Sequence, residues 1–261
     1  MIHIQIADLP IRWPAEHRAF VSGFEFELDP GNIPEFSLSI ASPLQKCHGI
    51  GFAEVSGPHF LHRPAYPSEF LFASADWTEA ILSCDRYADE NYALPLAALC
   101  SRLSYFDGIL LHGSLVELEG EGVIFTGYSG IGKTTQAQLW EKYLDAEIIN
   151  GDKVMLRILD GRVYAYGIPW KGSSSYCLNR RIPVKGIVAL RQAGENSIQK
   201  LDDTACLENF MPHIFLPHWD QECMSRALDT FDQIMRGIPV WLLKCRPDQD
   251  AVLLTKEHIY G

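Results

Sequence analysis

The sequence predicts a mixed α/β fold in two parts, a small β-rich region over residues 1–93 and a larger core over residues 94–261. Three observations carry this prediction. Alternating apolar and polar runs dominate the first third of the chain, which is typical of strands. Further on, apolar runs come in pairs joined by turn residues, so the core sheet should be mixed. One run leads through a glycine-rich loop into a helical pattern.

The N-terminal region contains three segments with the alternation expected of strands. They are residues 2–6, 24–28 and 36–40, and the turn-forming residues 29–32 separate the second from the third. No group of residues in this region suggests catalysis.

The core begins with a helix that starts at Pro95 and carries apolar residues on one face as far as Phe106. Two apolar runs follow, at 110–118 and 122–126. The residues between them, Glu119-Gly120-Glu121, predict a hairpin that feeds directly into the glycine-rich loop.

Downstream, a second hairpin is predicted over residues 154–166, because Asp160-Gly161 is a pair that favours a tight turn. A long amphipathic helix should then run from Cys223 to Met235. A strand at 240–245 and a terminal helix complete the core.

Residues 127–134 form a complete G-x-x-x-x-G-K-[ST] phosphate-binding loop between a predicted strand and a predicted helix. Its glycines let backbone N–H groups close around a polyphosphate, Lys133 supplies positive charge, and the Thr134 hydroxyl can bind Mg²⁺. The helix that follows aims its N-terminus at the phosphates. The sequence therefore predicts an ATP–Mg²⁺ site formed by Gly127, Tyr128, Ser129, Gly130, Ile131, Gly132, Lys133, Thr134 and Thr135.

Composition limits the other possibilities. The net charge of −11 argues against nucleic acid as the main partner. No apolar stretch is long enough to span a membrane. The first residues lack the basic and apolar segments of a signal peptide. The chain has seven cysteines, an odd number, and no C-x-x-C pair, which argues against a disulfide framework or a zinc site. The sequence therefore predicts a reduced, cytoplasmic protein.

A phosphate loop needs a second metal ligand, usually an acidic residue at the end of a nearby strand. Asp152 fits this role because it follows the apolar run 148–149 and the turn pair Asn150-Gly151. The alternative is a turn aspartate that caps its own backbone, which is common after Asn-Gly. The position relative to the loop favours the metal ligand.

These motifs together resemble a known family. The segment Leu111-His112-Gly113-Ser114-Leu115-Val116-Glu117, the phosphate loop and Ile148-Ile149-Asn150-Gly151-Asp152 are similar to HPr kinase/phosphorylase and its relatives. The relatives include kinases found with lasso-peptide biosynthesis and, more distantly, ATP-dependent phosphoenolpyruvate carboxykinase. The resemblance covers roughly residues 94–190, and the tail at 239–248 also looks like that of smaller HPr-kinase-like proteins.

The resemblance implies a phosphotransferase that moves the ATP γ-phosphate to a hydroxyl, a serine of a peptide or small protein. Lys133 and Thr134 would hold the triphosphate and Mg²⁺, Asp152 would be the metal-side carboxylate, and His112 would lie at the reaction centre. Without the resemblance, His112 would be an ordinary histidine on a half-buried strand. Relatives of this kind are often oligomeric, so the resemblance allows a homo-oligomer, but the sequence does not give the oligomeric state.

Two positions depart from the family pattern. The family's first aspartate is Gly151 in this chain, and Thr135 stands where the bifunctional kinases carry glutamate. The general base could instead be His112, Glu117 or Asp152. Two alternatives to a peptide or protein kinase stay open, namely a small-metabolite kinase and a non-catalytic, nucleotide-responsive binding protein.

Three further features are ambiguous from sequence. Arg180 and Arg181 could form a basic rim for nucleotide or product, or simply a solvated face. The segment 167–175 could be a mobile loop over an acceptor or an ordinary surface loop. His213 and His218 are not expected to hold a metal, because no third ligand is near in sequence.

Overall fold

A computed structural model describes residues 1–25, 33–40, 45–47, 50–52, 59–83 and 93–261. Most of the predicted strand at 24–28 and the whole predicted turn at 29–32 lie outside these ranges. The chain divides into two compact units, Met1–Tyr105 and Phe106–Gly261. This division differs from the predicted one at 93/94, because helix Ala93–Leu103 packs against strands of the first unit.

The first unit contains eight strands and one α-helix among the described residues. They are β1 (Ile2–Ile6), β2 (Leu9–Trp13), β3 (Phe36–Ile40), β4 (Gln45–Cys47), β5 (Ile50–Phe52), β6 (His59–Arg63), β7 (Tyr66–Ala73), β8 (Glu79–Ser83) and α1 (Ala93–Leu103). Six of the strands form a mixed sheet with the order β1-β2-β3-β8-β7-β6. In this sheet the pairs β2–β3 and β3–β8 are parallel, and the other pairs are antiparallel.

The second unit contains nine further strands and four α-helices. They are β9 (Gly108–Leu118), β10 (Glu121–Thr126), α2 (Lys133–Leu144), β11 (Glu147–Asn150), β12 (Lys153–Leu159), β13 (Arg162–Gly167), β14 (Arg181–Gln192), β15 (Ser197–Lys200), α3 (Asp203–Asn209), β16 (Ile214–Phe215), α4 (Gln221–Gly237), β17 (Val240–Cys245) and α5 (Gln249–Tyr260).

Strand β9 organises the second sheet because it pairs with four other strands. Its first half pairs with β12 and β16, and its second half pairs with β10 and β11. Strands β10, β14 and β17 are parallel neighbours, whereas the remaining pairs are antiparallel. The predicted mixed sheet is therefore confirmed.

Both faces of this sheet are covered, which explains the continuous apolar runs. Along β10, Ile124 packs into one core with helices α3 and α4, whereas Val123 and Phe125 pack into a second core with α2 and α5. Strand β14 alternates in the same way, with Ile187 on one side and Val188 on the other. The result is a sheet between two helical layers.

The two predicted hairpins are present. Glu119 and Gly120, with φ of 55° and 79°, connect β9 to β10, and Asp160 and Gly161, with φ of 50° and 74°, connect β12 to β13. Positive φ at both turn residues is the conformation that favours glycine, asparagine and aspartate.

None of the helices in the described ranges has the length and apolar character that a membrane crossing requires.

Candidate functional site

The glycine loop, defined as residues Gly127–Gly132, leaves the end of β10 and leads into α2 at Lys133. Gly132 has φ of 113°, a conformation that strains residues with a side chain. At Gly127, a Cβ atom would lie 3.0 Å from Cγ2 of Ile131. The loop is thus a tight backbone turn at the N-terminus of a helix, which is the arrangement that binds anions.

Lys133 lies inside this turn and is only 7% exposed. Its Nζ donates hydrogen bonds of 3.1 Å to the carbonyl oxygens of Gly127 and Tyr128. Burial lowers the pKa of Lys133, the charge of Asp152 opposes this, and Lys153 adds to the lowering. A buried ammonium with only carbonyl partners in its own loop is well suited to a phosphate oxygen.

Thr134 connects the start of α2 to the segment after β11. Its Oγ1 donates to the Gly151 carbonyl at 3.1 Å, and the buried Ser114 Oγ on β9 donates to the same oxygen at 2.9 Å. The Gly151 carbonyl therefore connects the first turn of α2, β9 and the turn that follows β11. This places Thr134 next to Asp152.

Asn150 caps the turn that precedes Asp152. Its Oδ1 accepts hydrogen bonds from the backbone N–H groups of Asp152 and Lys153, at 3.0 and 3.1 Å. Its Nδ2 donates to the Ile168 carbonyl at 2.7 Å. Asparagine thus takes the capping role that the sequence left open for Asp152. The aspartate carboxylate remains available for other partners.

The Asp152 carboxylate lies between the side chains of His112 and Lys153. His112 Nε2 donates to Oδ1 at 3.2 Å, and Lys153 Nζ is hydrogen-bonded to Oδ2. Burial by itself raises the pKa of Asp152, but the hydrogen bonds and charges of these two neighbours outweigh it and hold the pKa at about 2. Asp152 is therefore fully ionised at neutral pH.

Strand pairing fixes His112 at this position. In the β9–β12 ladder His112 lies opposite Lys153. The Thr126 hydroxyl, at the end of β10, donates to the His112 carbonyl at 2.8 Å. The next residue, Gly113, donates its N–H to the Asp152 carbonyl at 2.9 Å. His112, Lys133, Thr134 and Asp152 are thus brought into one place.

His213 lies in this site, although from sequence it was considered only with His218, as a metal pair that was not expected. It directly precedes β16, whose Ile214 lies opposite Leu111 on β9, so His213 lies beside His112. Its ring packs edge-on against the ring of Tyr128 in the glycine loop, with centroids 4.8 Å apart. Burial, and then the charges of His112 and Lys133, lower its pKa. The pairing of β16 with β9 creates this contact.

Two of the other candidates lie elsewhere. Glu117 is five residues beyond His112 on β9, about 16 Å along an extended strand, and forms an ion pair of 2.7 Å with Arg180. Arg180 also pairs with Glu147. Glu117 is therefore not placed to act as the general base. Arg180 is engaged by carboxylates and not by the glycine loop.

A cavity of about 320 Å³ adjoins the outer side of the glycine loop. One of the residues that line it is Gln136, which is only 2% exposed. Gln136 Nε2 donates a hydrogen bond to Cys245 Sγ at 3.3 Å, whereas Gln136 Oε1 has no hydrogen-bond partner among the described residues. A buried acceptor without a partner suits a ligand that carries an N–H or O–H group. The cavity is lined by Gly130, Ile131, Gly132, Thr135, Gln136, Leu190, Gln192, Ala193, Cys245, Arg246 and Pro247.

The donor atoms near Asp152 suit Mg²⁺ better than a soft metal. A hydroxyl and an ionised carboxylate are oxygen ligands, which Mg²⁺ prefers, and it commonly takes only one or two of them from protein. Within the described ranges, no three His, Cys, Asp or Glu side chains converge on a metal-sized space. A metal at Thr134 and Asp152 would therefore complete its coordination with phosphate oxygens and water.

Comparisons with known proteins find little similarity. No protein-family model matches the chain, and no curated protein is similar to it in sequence. Among solved structures, the chain is similar to the HPr(Ser) kinase/phosphatase from Coxiella burnetii with a TM-score of 0.35 and 11% identity, over 57% of this chain and 95% of that chain. A similarity this distant carries no conclusion about activity.

Proposed function

We propose that this chain is an ATP- and Mg²⁺-dependent phosphotransferase that moves the γ-phosphate to a hydroxyl group, a serine of a peptide or small protein. One observation carries the proposal. The glycine loop brings the buried ammonium of Lys133 and the hydroxyl of Thr134 next to an ionised carboxylate, Asp152, that is hydrogen-bonded to His112. These are the parts that phosphoryl transfer requires.

Each residue has a separate role in this proposal. Backbone N–H groups of the glycine loop and Lys133 neutralise charge on the transferring phosphoryl group. Thr134 and Asp152 would hold Mg²⁺, which would neutralise phosphate charge and fix the geometry of the β- and γ-phosphates. His112 holds the Asp152 carboxylate in place and can pass a proton at the acceptor side.

The cavity beside the glycine loop favours a nucleoside triphosphate, rather than inorganic phosphate, as the ligand of this site. Its volume of about 320 Å³ lies within the range of small-molecule sites. It opens next to Gly130–Gly132 and Thr135, so a triphosphate on the loop could extend its nucleoside into it. Gln136 Oε1 would then accept a hydrogen bond from the base or ribose.

The test is transfer of labelled γ-phosphate from ATP in the presence of Mg²⁺. The full chain and its Lys133→Ala and Asp152→Asn variants would be offered serine-containing peptides and a pool of hydroxyl-bearing metabolites. We expect label in a peptide, reduced about 100-fold or more in both variants, because each loses a charge at the reaction centre. Label in a metabolite alone would replace the peptide acceptor with a small molecule.

Matched controls are available in the same unit. Lys142→Ala removes an exposed lysine from the last turn of α2, and Asp160→Asn removes a carboxylate from an exposed turn. Both controls should transfer phosphate like the unaltered chain. Tight ATP binding without ADP release and without label in any acceptor would contradict the proposal and leave a nucleotide-responsive binding protein.

A further inference from the structure

The segment that follows β13, residues 168–177, returns to β11, the strand that ends just before the Gly151-Asp152 turn. Ile168 accepts the hydrogen bond from Asn150 Nδ2 at one end of the segment. At the other end, Cys177 forms a β-bridge with Asn150, and the Leu178 N–H donates to the Ile149 carbonyl at 2.9 Å. Both ends of this loop, which we call the serine loop, are therefore fixed to β11.

Between these anchors the serine loop lies directly on the turn Gly151-Asp152. A Cβ atom on Gly172 would lie 2.7 Å from Cγ of Asp152. A Cβ atom on Gly151 would lie 2.3 Å from Oγ and 2.5 Å from Cβ of Ser174. The side chain of Ser174 thus occupies the space into which any side chain at position 151 would extend.

The three consecutive serines of the loop differ in where they lie. Ser173 and Ser175 are exposed, whereas Ser174 is half-buried against Gly151. The Gly151 carbonyl oxygen accepts a hydrogen bond from the Thr134 hydroxyl, and Gly151 directly precedes Asp152. Ser174 therefore packs against the residue that connects the two proposed metal ligands. Among the described residues, its hydroxyl has one hydrogen bond, a long one of 3.5 Å to the Tyr176 carbonyl. A hydroxyl held this weakly can easily turn toward a new partner.

From this arrangement we propose that Ser174 is an internal acceptor, phosphorylated by the same chain that carries it. The proposal rests on the proposed function. The bond between the γ-phosphorus and the β–γ bridging oxygen breaks, a bond from phosphorus to Ser174 Oγ forms, and ADP leaves. The hydroxyl proton is released to solvent water. A weak base suffices because such transfer depends mainly on positioning and charge neutralisation.

Anchoring of both loop ends on β11 makes the reaction intramolecular. The acceptor hydroxyl does not have to be captured from solution, which favours transfer within one molecule. The rate constant of self-phosphorylation should then be independent of protein concentration. Unaltered chain mixed with Lys133→Ala chain should label only itself.

The experiment incubates the full chain with labelled ATP and Mg²⁺, measures the intact mass, and maps the modified residue by peptide mass spectrometry. We expect one phosphoryl group, located on Ser174. The label should be lost in Ser174→Ala and Lys133→Ala, and kept in Ser173→Ala and Ser175→Ala. Mapping the site in the unaltered chain does not depend on whether a variant folds.

The outcomes separate this inference from the proposed function. Label in an added serine peptide with none in the chain would overturn the inference and leave the phosphotransferase intact. Label on Ser173 or Ser175, or transfer from unaltered chain to Lys133→Ala chain, would also overturn it. If ATP binds but no phosphate reaches the chain, a peptide or a metabolite, both proposals fail together.

Discussion

Among the site residues with a shifted pKa, His213 is the one whose ordinary pKa lies nearest to neutral pH. It is 7% exposed, and burial, followed by the charges of His112 and Lys133, lowers its pKa. The folded chain therefore prefers the neutral imidazole. Its contribution to stability is complete above the ordinary histidine pKa of about 6.5 and is lost as the pH falls through the lower, folded-state pKa.

We expect the His213→Gln variant to lose less stability on acidification than the unaltered chain. Glutamine keeps a polar side chain of similar reach but cannot take up a proton beside Lys133. The measurement is the thermal unfolding midpoint of both proteins at about pH 7.5 and about pH 5.5, on either side of the ordinary histidine pKa. Equal losses in the two proteins would show that His213 does not titrate in this range.

A second prediction at this scale concerns Ala193, which lines the cavity beside the glycine loop. Its N–H is bonded to the Cys245 carbonyl at 3.1 Å, so its backbone position is fixed. In Ala193→Phe, the ring would fill the space proposed for the nucleoside. Binding of ATP should weaken about tenfold, the effect of losing one or two good contacts.

Inorganic tripolyphosphate provides the control for Ala193→Phe, because it carries the phosphates of ATP without the nucleoside. Its affinity, measured by calorimetry, should be the same for variant and unaltered chain. If both ligands bind the variant equally weakly, the substitution has disturbed the glycine loop, and the cavity is not the nucleoside site.

The sequence predicted some of the residues that the structure brings together and not others. Lys133 and Thr134 belong to a motif whose spacing signals the chemistry. Asp152 was predicted from its place after an apolar run and a turn pair. His213 has no such signal, because its place depends on a two-residue strand that pairs with β9 from a distant part of the chain. The Asn-Gly pair predicted a turn with Asp152 as the possible cap, whereas the capping side chain in the structure is that of Asn150.

At the scale of elements, the chain just after the serine loop passes very close to Gly167, the last residue of β13. A Cβ atom on Gly167 would lie 2.0 Å from the Leu178 carbonyl oxygen and 2.9 Å from Cγ2 of Ile149. Because the first of these is a backbone atom, a methyl group cannot be accommodated by a side-chain rotation. The loop or the strand would have to move.

We therefore expect Gly167→Ala to lower the free energy of unfolding by about 1–3 kcal/mol, the usual cost of overpacking. Gly186→Ala on β14 is the matched control, since its added Cβ would meet the nearest atoms at 3.6 Å, an ordinary contact. Urea unfolding of both variants makes the comparison. A control as unstable as Gly167→Ala would point to a general cost of alanine in these strands.

Local elements were more predictable than their order in the sheet. The hairpins β9–β10 and β12–β13 follow from turn residues that the sequence displays directly. The parallel pairing of β10, β14 and β17 does not, because these strands are far apart in the chain and joined by other elements. Their apolar runs predict burial on both faces but not which strand lies beside which.

At the scale of the whole molecule, all the residues proposed for ATP, Mg²⁺ and the acceptor belong to the second unit, Phe106–Gly261. This unit has its own sheet, with a hydrophobic core on each face. We expect a chain of residues 106–261 to fold by itself and to bind ATP–Mg²⁺. At a concentration 100 times the Kd, the ligand should stabilise it by about 2.7 kcal/mol.

Thermal unfolding of the shortened and full chains, each with and without ATP–Mg²⁺, tests this expectation. The same ligand-induced shift in both would place the nucleotide site within the second unit alone. A shortened chain that unfolds cooperatively but shows no shift would mean that residues 1–105 contribute to binding.

Burial of β10 on both faces, between β9 and β14, has a consequence for local opening. Amides in such a strand exchange with solvent deuterium only when the whole domain unfolds, whereas loop amides exchange through small fluctuations. The glycine loop begins at the end of this slowly exchanging strand, but residues 169–176 of the serine loop hold no strand position. Residues 171–175, of which all but Ser174 are exposed, can therefore lift from Asp152 and settle again many times during one lifetime of the folded phosphate site.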